Sequence, residues 1–379
     1  MEKTKDENDR IVLGRSTGTG SIVTWSPYPS AANPNPHVLI VGGSGSGKTY
    51  ATLCLLAELS RRGLPSIVID YGQGFSRKAL PDEFVSMVQV REIEVARDGI
   101  AMNPLSVLPG DVLGPVNVGQ RFADTVQRIY SQIGIQQHAA LRDAIIVFLE
   151  SSGIRKDDPS SWERVPPRFS ELRTHLQELA ADKSNPGRRY VSSVEAHISS
   201  LFVFNTFRRG GQQLDWSSFC DDGAVTVLQL RGLESTLSRV ITEFLLWGLI
   251  GYVERSGPGK MRCFVSLDEA HNLPMSEGSP VEKLLREGRK YGVGLILASQ
   301  QPEDFSRVVY GNTSLKLLFR LEDPSRLLVS NVLSSAATVT QLKKVLRTLT
   351  RGCAFVSGSG RDTVVAIDTL KERRTAQPN

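Results

Sequence analysis

The sequence predicts an α/β fold in which a doubly wound, mainly parallel β-sheet is interrupted by an inserted helical subdomain. Short apolar, β-branched runs alternate with helical patterns near the start and in the second half of the 379-residue chain, as strand–helix–strand units require. In between, only helical patterns and polar, proline-rich loops are found. The expected domains are an N-terminal arm over 1–35, a core over 36–80 and 220–360, a helical insertion over 81–219, and a C-terminal strand with a basic tail over 361–379.

Each predicted element has its own pattern. Residues 38–41, VLIV, form a compact strand-like run, and a glycine-rich turn separates it from a helical pattern over 49–62. Further core strands are expected at 64–70, 224–230, 261–267, 293–299, 315–321 and 353–357. Helical patterns in the insertion lie at 118–150, 169–182 and 190–204. The N-terminal arm has one strand-like piece, at 21–25.

Composition restricts the class of protein. With 40% hydrophobic and 22% charged residues the chain resembles ordinary globular proteins, and its formal charge of +5 mildly favours an anionic partner such as nucleic acid. The four cysteines are isolated, so neither a zinc site nor a disulfide framework is expected, and a cytoplasmic location follows. The charged N-terminus lacks the apolar region of a secretory signal. The most apolar window, 240–253, is shorter than the roughly 20 residues of a membrane span and contains Glu243, so it predicts a buried helix.

A phosphate-binding loop is the strongest motif. Residues 42–49, GGSGSGKT, fit GxxxxGK[ST] between an apolar strand and the start of a helix. Glycines let successive N–H groups point at phosphate oxygens, and the helix N-terminus adds a positive field. Lys48 is expected at the β- and γ-phosphates and the Thr49 hydroxyl on Mg²⁺. The motif therefore predicts ATP and Mg²⁺ as cofactors, held by Gly42, Gly43, Ser44, Gly45, Ser46, Gly47, Lys48, Thr49 and Tyr50.

A pair of acidic residues follows the strand at 261–267. Asp268 is expected to orient Mg²⁺ through its water shell, and Glu269 to act as general base on the attacking water. Residues 268–271 also spell DEAH, the box of a large helicase group. That group carries a SAT-like triplet and a QxxGRxGR element, whereas the next strand here ends in ASQ and QxxGRxGR is absent. His271 is therefore incidental to that group, although it could couple the nucleotide to a partner.

Gln300 ends the apolar strand at 293–299. If this strand lies beside the strand of the phosphate loop, the Gln300 amide can donate to a γ-phosphate oxygen or to the attacking water. It would then report whether the phosphate is present, and the loop beginning at Gln301 and Pro302 would carry that report onward. The alternative is an ordinary polar residue at the end of a strand.

Together these motifs resemble the HerA branch of the HerA/FtsK superfamily of ring-forming P-loop ATPases. The resemblance covers residues 36–78 and about 220–360, in the order found in the family. It rests on PHVLIVG at 36–42, DYGQGF at 70–75, the Asp268–Glu269 pair, GRK at 288–290 with Gly292, ASQQP at 298–302 and NTSLKLLFRLEDP at 312–324.

The resemblance implies a RecA-like core and a homo-hexameric ring that binds ATP between subunits and threads double-stranded DNA through its channel. It also implies an arginine supplied by the neighbouring subunit. Arg289 is the first candidate, with Arg286 and Arg320 as alternatives, and solvated surface arginines as the competing interpretation. Family members usually begin with a β-barrel, so the short arm implies that the barrel is reduced or missing here. Gln301 stands where many relatives carry a basic residue.

Contacts with DNA are expected from basic doublets in or beside the insertion. The candidates are Arg188, Arg189, Arg208 and Arg209. Such groups follow a phosphate backbone without reading bases, but they also occur on ordinary surfaces.

The sequence therefore predicts a ring-forming, ATP-driven translocase or helicase of double-stranded DNA. It would act with a nuclease or another effector, with anti-phage defence as one setting considered. Two alternatives remain. One is a VirB4-like conjugation or secretion ATPase, which works at a membrane, and the other is a nucleotide-controlled scaffold that regulates an effector without translocation.

Overall fold

The computed structural model describes residues 9–31, 33–204, 206–207, 214–220, 223–327, 339–358, 360 and 362–374. Within these residues the strands belong to one eleven-stranded sheet. They are β1 (Ile11–Ser16), β2 (Ile22–Trp25), β3 (Val38–Val41), β4 (Ser66–Asp70), β5 (Val90–Glu94), β6 (Val225–Gln229), β7 (Cys263–Leu267), β8 (Val293–Ser299), β9 (Leu315–Leu318), β10 (Cys353–Ser357) and β11 (Thr363–Ala366).

The α-helices of the described residues range from single turns to 22 residues. They are α1 (Lys48–Ser60), α2 (Asp82–Met87), α3 (Val95–Asp98), α4 (Pro115–Ile129), α5 (Ile135–Ser151), α6 (Phe169–Ala181), α7 (Arg188–Val203), α8 (Trp216–Phe219), α9 (Ser235–Ser256), α10 (Pro280–Tyr291), α11 (Arg307–Asn312), α12 (Val339–Thr348) and α13 (Thr369–Arg374).

The sheet is parallel at its centre and antiparallel on one side. Its strand order is β2-β1-β11-β10-β9-β3-β8-β7-β4-β6-β5. From β9 to β6 every neighbouring pair is parallel, whereas the pairs from β9 to β2 are antiparallel. The predicted mainly parallel α/β fold is thus confirmed. The carboxyl ends of β3, β8 and β7 consequently meet at one edge of the sheet, where α/β proteins place their ligands.

The N-terminal arm is more regular than predicted. β1 and β2 pair antiparallel, and β1 also pairs with β11, so the described part of the arm extends the main sheet. β1 is hard to find in sequence because Gly14 and Arg15 interrupt its apolar alternation. Trp25 of β2 is 1% exposed and lies edge-on to Phe264 of β7, with ring centroids 6.5 Å apart, which fixes the arm to the core.

The chain divides into two compact units. The sheet unit comprises residues up to Ile93, Ser217–Gln229 and those from Pro258 onward, and the helical unit comprises Glu94–Trp216 and Leu230–Gly257. These boundaries differ from the expected insertion at 81–219, because the helical unit starts later and includes α9.

Helix α9 belongs to the helical unit because of its contacts with α4. The rings of Phe122 and Phe244 lie 4.9 Å apart, and Arg128 forms a 2.8 Å ion pair with the buried Glu243. Among the described residues α9 alone is long and apolar enough to cross a membrane. However, 72% of its apolar window is buried within the structure, as in the core helix that the sequence predicts.

Candidate functional site

The phosphate loop joins β3 to α1 at the centre of the sheet. All four residues of β3 are fully buried between β8 and β9. The loop then turns through Gly45 and Gly47, whose φ angles of 70° and 114° suit glycine. A Cβ added at Gly42 would lie 2.4 Å from the Cβ of Phe319, so this position has no room for a side chain. The local sequence therefore has steric reasons for its glycines.

Lys48 is folded back onto its own loop. Its Nζ donates hydrogen bonds to the carbonyl oxygens of Gly42 at 2.7 Å and Gly43 at 3.2 Å. Burial lowers the pKa of Lys48, while the carboxylates of Glu269 and Asp268 act in the opposite direction. The first amides of α1 have no partner within the helix. A cation and a helix N-terminus thus converge on one loop, an arrangement that suits a polyphosphate.

Asp268 and Glu269 directly follow β7, at the same edge of the sheet. Among the described residues Glu269 alone is a non-glycine residue with positive φ, at 55°, and such strain is common at functional sites. Burial raises the pKa of Asp268 to about 7, helped by the negative charges of Glu269 and Asp70 and opposed by Lys48. A bound cation would relieve this cost. Oxygen donors are what Mg²⁺ prefers, so the Asp268 carboxylate and the Thr49 hydroxyl fit that ion.

Gln300 meets the acidic pair from the neighbouring strand. Its Nε2 donates a 2.8 Å hydrogen bond to Oε1 of Glu269. Because β8 lies between β3 and β7, Gln300 emerges between the phosphate loop and the two carboxylates. The structure thereby places all these candidates at the ends of three neighbouring strands.

Asp70 is a site residue that sequence reasoning missed. It is fully buried and accepts hydrogen bonds from the Gly72 amide at 2.9 Å, the Phe75 amide at 3.0 Å and Nε2 of Gln229 at 2.9 Å. These bonds fix the loop after β4, so that a Cβ on Gly74 would lie 3.3 Å from Thr49 Cγ2 and 3.9 Å from Asp268 Oδ2. A carboxylate at a strand end before two glycines was the available signal.

An open cleft of about 680 Å³ lies over the phosphate loop. Its walls are residues 43–46, 300–303, 320–323 and Arg351. The Gly43 amide donates to the Arg320 carbonyl at 2.9 Å, and the Gly352 amide donates to the Ser46 carbonyl at 3.0 Å, so backbone bonds hold these walls to the loop. Arg320 therefore lines the cleft of its own chain, as does Arg351, which the sequence did not single out.

Tyr50, the last residue of the predicted nucleotide-binding stretch, points to a different partner. Its hydroxyl donates a 2.7 Å hydrogen bond to Asp368, which precedes α13. Burial and this bond raise the pKa of Tyr50. Tyr50 thus joins the start of α1 to the C-terminal segment.

The family-model comparison decides the family. The model described as "Helicase HerA, central domain" matches residues 34–247, more than half of the chain. The chain belongs to this HerA family. The resemblance noted in the sequence is thereby confirmed.

Curated HerA proteins are distant relatives of the chain. The DNA double-strand break repair helicase HerA of Sulfurisphaera tokodaii is 23% identical over 305 residues, covering 76% of this chain and 56% of that protein. The protein of the same name from Sulfolobus acidocaldarius is 20% identical over 368 residues, covering 90% of this chain and 67% of that protein. The chain thus spans little more than half to two thirds of these relatives.

Solved structures share the fold of this HerA-family chain. VirB4 of Thermoanaerobacter pseudethanolicus has a TM-score of 0.73 at 17% identity, covering 95% of this chain and 96% of that one. The plasmid coupling protein TrwB in complex with ADP and Mg²⁺ has a TM-score of 0.60 at 15% identity, covering 95% and 94%. At these identities the likeness shows the fold alone.

The other arginine candidates of this HerA-family chain do not reach the cleft within one chain. Arg289 and Arg286 lie on α10, which leads into the amino end of β8, whereas the phosphate loop is at the carboxyl edge of the sheet. Arg289 donates to the Pro34 carbonyl at 2.7 Å, and Arg286 pairs with Glu282. The DNA candidates Arg188 and Arg189 begin α7 of the helical unit. Arg208 and Arg209 lie outside the described residues.

Proposed function

We propose that this chain is a Mg²⁺-dependent ATP hydrolase that works as a motor on double-stranded DNA. One observation carries the proposal: Lys48, Asp268, Glu269 and Gln300 converge from three neighbouring parallel strands, with Gln300 bonded to Glu269 at 2.8 Å. Membership of the HerA family supports the same activity.

The proposed chemistry assigns one role to each group. The amides of the phosphate loop and the Lys48 ammonium hold the phosphates, and Glu269 removes a proton from the attacking water. Mg²⁺, held by Thr49 and the water shell of Asp268, would stabilise negative charge on the phosphates. Gln300 senses the γ-phosphate, because its Nε2 carries a second N–H for a phosphate oxygen besides the one that it donates to Glu269.

We further propose that the chain assembles into a homo-oligomeric ring, with six subunits expected. The cleft is open and contains Arg320 and Arg351 from its own chain. Exposed Arg289 lies at the opposite edge of the sheet, from where it can serve a neighbouring copy but not its own phosphate loop. Arg286 is the second candidate for that role.

The proposed setting is the cytoplasm, with a nuclease or another effector as partner. DNA end processing and anti-phage defence are the two pathways considered. The basic doublet Arg188–Arg189 is the described candidate for contact with the DNA backbone. A salt-dependent loss of DNA binding on replacing both residues by Gln would support that assignment.

ATP hydrolysis is tested with two substitutions that should differ in their effect on ATP binding. Lys48→Ala removes the phosphate-binding cation and should abolish ATP binding. Glu269→Gln keeps the loop and should bind ATP and assemble normally while losing turnover by about 10²–10⁴-fold. Arg173→Gln, in the helical unit, serves as a control outside the nucleotide site. Full turnover by the Glu269→Gln variant would remove Glu269 from its assigned role.

Translocation needs its own test, since both alternatives share the nucleotide site. A VirB4-like motor would not be stimulated by duplex DNA in a soluble assembly, whereas the proposed motor would. A scaffold would bind or hydrolyse ATP without displacing the third strand of a DNA triplex. Mass measurements with and without ATP and DNA would give the ring size.

A further inference from the structure

His271 lies among polar side chains that connect the ends of β7 and β8. Its Nδ1 is 3.3 Å from Ser299 Oγ, 3.3 Å from Glu269 Oε2 and 3.9 Å from Asp304 Oδ2. The Ser299 hydroxyl also hydrogen-bonds the Asp304 carboxylate. One imidazole nitrogen therefore has three oxygen neighbours, contributed by three different parts of the chain.

The oxygen atoms around Nδ1 of His271 favour a hydrogen-bond donor at this nitrogen. Ionised carboxylates only accept hydrogen bonds, so a proton on Nδ1 suits this position. The contact of His271 Nδ1 with Ser299 Oγ has the geometry of a hydrogen bond. Its contact with Glu269 Oε2 is short enough for an ion pair but is not a hydrogen bond. Oε2 of Glu269 is buried and has no hydrogen-bond partner among the described residues. A small rotation of the ring would transfer the donor from Ser299 to that oxygen.

On its other side the cluster is attached to the loop that follows β8. Asp304 ends the 3₁₀ turn Pro302–Asp304, and the hydroxyl of buried Tyr310 donates to the Pro302 carbonyl at 3.1 Å. Residues 301–303 of the same loop line the cleft above the phosphate loop. A displacement of this loop therefore reaches Asp304, and through Asp304 it reaches His271.

We propose that His271 is a positioning residue that orients the Glu269 carboxylate and couples it to the loop at 301–305. This inference rests on the proposed ATP hydrolysis. Gln300 holds Oε1 of Glu269 and His271 is placed to hold Oε2, so together they fix the plane of the base. A base misplaced by about 1 Å loses on the order of a hundredfold in rate. His271 therefore makes hydrolysis depend on the position of this loop.

A positioning role and a purely structural role of His271 predict different results. The His271 side chain is 40% exposed, so its truncation removes little buried surface. If His271 only positions Glu269, the unfolding temperature and ATP binding of the His271→Ala variant should therefore be unchanged, while its rate of hydrolysis falls. Loss of ATP binding together with rate in the His271→Ala variant would indicate a structural role and overturn the inference.

The experiment measures ATP hydrolysis by the full chain for the wild type, His271→Ala and His271→Asn. His271→Ala should lower kcat about 10- to 100-fold while KM for ATP changes less than about threefold. His271→Asn should restore most of the rate, because its amide can donate from near the position of Nδ1. The control His197→Ala removes an imidazole on α7 that bonds only to its own helix in the described residues, and should leave kcat unchanged.

Coupling to the loop is tested with Asp304→Asn. If His271 and Asp304 act as one unit, the double variant should be no slower than the slower single variant. Rates of His271→Ala within about twofold of wild type, or effects that multiply in the double variant, would refute the inference alone. Absence of hydrolysis by the wild type would instead overturn the proposed function.

Discussion

Acid should weaken the strand that carries the phosphate loop, through His37. This residue immediately precedes β3 and is fully buried. Its Nδ1 accepts a 3.1 Å hydrogen bond from the Leu295 amide of β8, and its carbonyl accepts one from the Ser314 amide at 3.1 Å. Burial lowers the pKa of His37 from 6.5 to about 4, because a charged imidazole would lack water there.

The size of the effect follows from that pKa. The unfolded chain holds the His37 proton more tightly than the folded chain, so acid favours unfolding. The contribution is fully present above pH 6.5 and is lost as the pH falls toward 4. Between pH 7.5 and 4.5 the loss amounts to about 2–3 kcal/mol for a pKa lowered from 6.5 to about 4.

The assay compares urea unfolding of the wild type and His37→Asn at pH values between 7.5 and 4.5. Asparagine can still accept from the Leu295 amide through Oδ1, but it cannot titrate. The wild type should be the more stable protein at pH 7.5, and its advantage should shrink by about 2–3 kcal/mol at pH 4.5. Other titrating groups are common to both proteins and cancel. A difference that stays constant across this range would refute the argument.

Three further substitutions test other parts of the structure. Gly47→Ala should weaken ATP binding, since φ is 114° and the new Cβ would lie 3.2 Å from the Gly352 amide; binding titrations with a fluorescent ATP analogue would check this. Arg128→Met should destabilise the helical unit by about 3–5 kcal/mol, because it leaves Glu243 buried and unpaired; urea unfolding gives the value, and an unchanged midpoint would contradict it. Tyr50→Phe removes the hydrogen bond to Asp368 and should lower the free energy of unfolding by about 1 kcal/mol. The unfolding temperature should fall accordingly, and an unchanged temperature would indicate that water replaces this bond fully.

Much of the sheet could be predicted because its central strands are buried on both faces. Strands such as β3, β7 and β8 are continuous apolar runs, a pattern that one sequence is enough to reveal. β5, with the sequence VREIE, carries charges at three of its five positions and is only partly buried, so it gave no such signal. Helix α9 belongs to the helical unit because it contacts α4. The hydrophobic pattern along one stretch of sequence does not reveal such long-range contacts.

Some residues of the candidate site could be predicted from local motifs, whereas others are brought there only by the order of the strands. Lys48, Thr49, Asp268 and Glu269 belong to motifs in which spacing along the chain carries the prediction. Asp70 acts because β4 happens to lie beside β7 and β6, and Gln229 on β6 completes its hydrogen bonds. Arg351 reaches the cleft because the turn before β10 is bonded to Ser46. Such positions follow from strand order, which one sequence does not give.

The position of β3 between β8 and β9 also bears on how the protein is made. Both neighbours of this strand come from residues 293–318, more than 250 residues later in the chain. On a ribosome the nucleotide-binding turn is therefore synthesised well before both neighbouring strands, and β3 stays unpaired on both sides until they have emerged. Long-range parallel pairing of this kind is slow and leaves apolar strands open to wrong partners. Translation speed and chaperone supply should thus affect the yield of active protein.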